Sequence, residues 1–85
     1  MSMELTADEL AALMKKSAGV TVAPQDLARR LDTPFSELGV DSLGLLGIVG
    51  ALENERGQAL PADAERSKTP RDFLDLVNST LTAGA

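Results

Sequence analysis

The sequence predicts an all-α protein, a small bundle of three main helices plus one short helix. Three observations carry this. Leucines and methionine recur at helical spacing behind a capping box near the N-terminus. The uncharged run Leu43–Leu52 is long enough for a helix and stripes its larger side chains on one face. Thr69-Pro70 opens a third amphipathic stretch. The β-branched pair Thr21-Val22 is followed closely by Pro24, and no second strand pattern is present to pair with it.

The first helix starts at Thr6-Ala7-Asp8-Glu9, a capping box, with Leu5 and Leu10 in the staple positions. Leu10, Leu13 and Met14 supply its stripe, Lys15 and Lys16 suit its negative C-terminal end, and Gly19 stops it. Residues 20–40 form a long connection with helical turns expected at Asp26–Leu31 and Pro34–Leu38, Phe35 and Leu38 being its buried anchors. Because of these anchors the connection is expected to be ordered.

The second main helix is expected from Ser42 to Arg56, with Asp41 as N-cap and Gly57 just past its end. On a wheel of about 100° per residue, Leu45, Ile48, Val49 and Leu52 form the core stripe. Gly44, Gly47, Gly50 and Ala51 fall on or near the opposite face, with Leu43 and Leu46 at its margin. Interior glycines cost roughly 1 kcal/mol each against alanine, so this helix needs tertiary support. Pro61 is expected to open the short helix, as its first residue, through about Arg66. The last helix takes Thr69 as N-cap, Pro70 at N1 and Asp72 at N3. Phe73, Leu74, Leu76, Val77 and Leu81 form its stripe, and Gly84 lies beyond its end.

Eighty-five residues make a single domain, 1–85, with one modest core and a stability on the order of 5–10 kcal/mol. Cysteine and histidine are both absent. Disulfides, thiol nucleophiles, Cys/His metal sites and Ser-His or Cys-His catalytic pairs are thereby excluded. Met1–Glu4 has neither a basic nor an apolar region of a secretory leader, and a cytoplasmic location is expected. The ten-residue uncharged run is too short to span a bilayer.

Net charge is −5, distributed as −1 over residues 1–19, −5 over 20–65 and +1 over 66–85. An acidic chain with two aromatics is a poor fit to nucleic acid and a better one to basic protein surfaces.

Ser42 is the residue with chemistry in its surroundings. A hydroxyl at the first position of a helix sits beside unpaired amides and the positive end of the dipole, where a phosphate is favoured. Phe35-Ser36-Glu37-Leu38-Gly39-Val40-Asp41-Ser42-Leu43, with Leu52-Glu53, Gly57 and Leu60-Pro61, resembles the acyl carrier proteins over nearly the whole chain. Thr69 to Asn78 is most similar to free-standing carriers of bacterial aromatic (type II) polyketide synthases, including those making spore pigments.

The resemblance implies an acyl-carrier-like bundle that catalyses no step. A phosphopantetheinyl transferase would attach 4'-phosphopantetheine from coenzyme A to Ser42, flanked by Asp41 and Leu43. The arm would carry malonyl units and the growing polyketide as thioesters, for antibiotic or pigment biosynthesis. Implied partners are the ketosynthase/chain-length factor, malonyl transferase, and ketoreductase or cyclase enzymes, met by a monomer with no membrane or nucleic-acid role. The expected docking surface is Glu37, Leu46, Gly47, Gly50, Glu53 and Glu55, with Glu37 and Glu53 exposed.

The family commonly has an acid where this chain has Gly47. Three readings of that departure stand: drift at exposed positions, a smooth outer face for close docking, or a helix loosened to admit an acyl chain. Two other carriers, of fatty acids or of peptides, are alternatives. A helical interaction module without a prosthetic group, in which Ser42 only caps a helix, is the alternative of a different class.

Overall fold

The computed structural model describes residues 4–83. The expectations for Met1–Met3 and Gly84 lie outside the described residues. Four helices form the bundle: α1 (Ala7–Ala18), α2 (Pro24–Arg29), α3 (Ser42–Arg56) and α4 (Pro70–Ala83). Two 3-10 turns, Phe35–Leu38 and Ala62–Arg66, precede α3 and α4. No strand occurs among the described residues.

Local signals set most boundaries. Thr6 Oγ1 accepts from the Glu9 amide at 3.2 Å, and the Glu9 carboxylate accepts from the Thr6 amide in return. Gly19 and Gly57 end α1 and α3 in the left-handed region, at φ 69° and 64°, where a side chain would be strained. The Asp72 amide donates to Thr69 Oγ1 at the head of α4. Two expectations shift in detail. The turn in the long connection is a helix starting at Pro24, and Pro61 flanks its 3-10 turn at ψ 147° instead of entering it.

The core stripe of α3 is as the wheel gives it: Leu45, Ile48, Val49 and Leu52 are buried. They meet Leu10 and Met14 of α1, Leu27 of α2, and Phe73, Val77 and Leu81 of α4 in one cluster. Phe35 and Phe73 pack edge to face at 6.0 Å between centroids. Fully burying such side chains stabilises by about 1.5–3 kcal/mol each.

The long connection is pinned at specific points. The Phe35 amide donates to the Lys68 carbonyl at 2.8 Å, and the Arg71 amide to the Leu31 carbonyl at 2.9 Å. Arg71 also pairs with Asp32 at 2.7 Å, and this contact holds the Asp32 carboxyl below its ordinary pKa. The Asn78 carboxamide accepts from the Leu5 amide and donates to the Leu5 carbonyl, tying Leu5 to α4. The Phe35–Lys68 bond holds the segment that leads to Ser42 against the α3–α4 connection, which places the site.

Candidate functional site

Gly39, at φ 91°, turns the chain out of the first 3-10 turn. Val40 is buried, and Asp41 and Ser42 emerge exposed. Asp41 Oδ1 accepts the Gly44 amide at 2.7 Å, which makes Asp41 the N-cap and Ser42 the first helical residue. The amides of Ser42 and Leu43 have no intrahelical carbonyl within reach. An exposed hydroxyl therefore stands at the positive end of a fifteen-residue helix.

Two open clefts flank it. The larger, about 590 Å³, lies between the Pro34–Ser36 turn, the start of α3 and the segment Glu65–Thr69. Phe35, Val40 and Leu45 form its apolar wall. The smaller, about 350 Å³, is lined by Ser42, Leu43, Leu46, Glu65 and Arg66. Glu65, Arg66 and Lys68 are not among the residues that the sequence singles out. They lie over twenty residues from Ser42 along the chain, and only the packing of the second 3-10 turn on α3 brings them near.

The residues expected to form a docking face separate into free and engaged groups. Leu43 and Leu46 are 75% and 48% exposed, and a Cβ at Gly50 would meet open space. Glu37 and Glu55 are exposed. Gly47 is not on this face. A Cβ built there would lie 3.1 Å from the Ser17 carbonyl oxygen, and one at Gly44 would lie 3.1 Å from Ala18 Cβ. Both glycines let α3 approach the last turn of α1, so their placement on an outer face is corrected. Glu53 is half-buried instead of exposed, because its carboxylate accepts the Leu60 amide at 2.7 Å and holds the chain leaving α3.

The described residues thus form a small helical bundle with Ser42 exposed at the first position of α3, beside two open clefts. The "Phosphopantetheine attachment site" family matches residues 8–77. The curamycin polyketide synthase acyl carrier protein of Streptomyces cyaneus is 56% identical, over 96% of this chain and 93% of that one. A probable acyl carrier protein of Streptomyces coelicolor is 52% identical, over 99% of this chain and 93% of its own length. The actinorhodin acyl carrier protein of S. coelicolor, solved with a 3,5-dioxohexyl triketide mimic, superposes with a TM-score of 0.80. It is 38% identical, and all of both chains is covered.

The chain belongs to the acyl carrier proteins. It is a carrier subunit, not a catalyst, and its prosthetic group is 4'-phosphopantetheine. The site fits that group, since Ser42 is exposed at the start of a helix, where a phosphate is favoured, and two open clefts adjoin it.

Proposed function

We propose that this chain serves a bacterial type II polyketide synthase and that Ser42 Oγ is where the arm is attached. The observation that carries the site is the exposure of Ser42 at the first position of α3, with Asp41 already capping the helix. The hydroxyl is thus spare: helix capping does not consume it. When bound, the arm supplies a terminal thiol that holds malonyl units or the growing polyketide as thioesters.

The chain's own residues do the rest. Asp41 and the Gly39 turn hold the serine clear of the core, and the bundle confines the tethered group, raising its effective concentration at each enzyme. Leu43, Leu46 and Gly50 offer a largely apolar outer face, with Glu37 and Glu55 as exposed charges. This face is our proposed dock for a phosphopantetheinyl transferase, the ketosynthase/chain-length factor, the malonyl transferase and ketoreductase or cyclase enzymes. We place the carrier in the cytoplasm with them. No helix among the described residues is long and apolar enough to cross a membrane.

The test is intact mass after incubation with coenzyme A and a broad-specificity transferase. Wild type gains one arm, and Ser42→Ala gains none while unfolding within about 1 kcal/mol of wild type. An arm on Ser36, or on the Ser42→Ala protein, would remove the assignment.

A further inference from the structure

We infer that Arg66 is a positioning residue for the prosthetic group, the counter-ion that holds the arm's phosphodiester at the ridge between the two clefts. The inference rests on Ser42 being the attachment point. Arg66 is the one basic residue lining both clefts that Ser42 lines; Lys68 lines only the larger.

Its backbone has a fixed position. The 3-10 turn that ends in Arg66 is anchored by the fully buried Ala64 and packs against α3. Its guanidinium, by contrast, is nearly uncommitted. The ion pair with Asp63 spans 4.0 Å, between side chains 75% and 79% exposed, and such a pair exchanges readily for a better anion.

A phosphodiester on Ser42 adds a negative charge to the acidic part of the chain, next to Asp41 and Glu65. The planar guanidinium can donate two parallel hydrogen bonds to its two free oxygens, a geometry that an ammonium cannot match. Glu65, which also lines both clefts, opposes the pairing by repelling the phosphate and competing for Arg66. Pinned in this way, the arm would leave the protein from a defined root instead of swinging freely about Ser42.

The experiment compares full-length apo and holo protein by arginine Nε–H and phosphorus NMR, with intact mass confirming the arm. On conversion to holo, the Arg66 Nε–H signal is expected to shift and to exchange more slowly with water. In holo Arg66→Gln, the phosphorus signal should move towards its position in the denatured holo-protein. Arg66→Lys should restore it in part, Lys68→Gln should leave it in place, and Glu65→Gln should enlarge the Arg66 shift. Added salt should weaken all of these. A gain of mass with an unchanged Arg66 signal, or a phosphorus signal indifferent to Arg66→Gln, would overturn the role of Arg66 and leave Ser42 standing. No gain of mass would overturn both.

Discussion

On one flank of α3, Gly44 and Gly47 lie against Ser17 and Ala18 at the end of α1; on the other, Leu43, Leu46 and Gly50 face outward. Both flanks adjoin the same core stripe, and both carry glycine. On the first, the place of the missing side chain is taken by neighbours, the Ser17 carbonyl at Gly47 and the Ala18, Asp41 and Val40 side chains at Gly44. On the second, it is filled by nothing within 4 Å. Glycine on the inner flank therefore fits a close contact with α1, whereas at Gly50 it only weakens the helix. A residue type shared by two faces has opposite consequences, and what decides between them is the partner across the gap.

Leucine substitutions should break the two flanks apart most widely. Gly47→Leu must push the Ser17 carbonyl away, and overpacking of this kind costs about 1–3 kcal/mol. Gly50→Leu enters open space and improves helix propensity, so it should raise stability by up to about 0.8 kcal/mol. Urea unfolding of the two variants reads the difference. Equal effects would mean that α1 does not confine Gly47 in solution.

If the open flank is the dock, its leucines matter to partners and hardly to the fold. Leu43→Ser with Leu46→Ser should shift stability by about 0.5 kcal/mol or less per site. We expect transfer efficiency with the ketosynthase to fall about tenfold, a loss of about 1.4 kcal/mol. Because the loss is apolar, it should persist at high salt. Unaltered transfer would leave this flank without a docking role.

The acids sort in the same manner. Glu53→Gln weakens the charge-assisted bond to the Leu60 amide and should cost about 1 kcal/mol, whereas Glu37→Gln should cost about 0.5 kcal/mol or less. Thermal unfolding of the pair measures this. Equal costs would return Glu53 to the set of free surface acids.

Most of the fold could be read in advance because its signals are local. A capping box, a Thr-Pro start and glycines past helix ends each act within a few residues, and the α3 core stripe follows from periodicity alone. The exposed hydroxyl at the first position of α3 was legible for the same reason. What escaped depends on how segments fold back on one another: Ser17 against Gly47 and Arg66 near Ser42 across more than twenty residues, and Leu60 on Glu53 across the turn that leaves α3. One clue to the first was available. The wheel sets Gly44, Gly47 and Ala51 on one flank and Leu43, Leu46 and Gly50 on the other, and α1 ends in the small residues Ser17-Ala18. Treating all the small residues as a single face concealed that division.

Alanine gives the smallest and cleanest measure of the two flanks, since it adds one methyl group to each. At Gly50 the methyl meets nothing, and the gain is the full helix-propensity and unfolded-state term, about 0.5–1 kcal/mol. At Gly47 the same gain is opposed by a Cβ only 3.1 Å from a backbone carbonyl, which yields less easily than the tip of a side chain. A shift of a few tenths of an ångström in α1 relieves the contact and costs part of the packing of α1 on α3. Gly47→Ala should therefore unfold within about 0.5 kcal/mol of wild type, and Gly50→Ala should be the more stable of the two. Chemical denaturation of both proteins in parallel checks the order. A Gly47→Ala protein as stabilised as Gly50→Ala would show that the end of α1 gives way freely and that Gly47 is not required for packing.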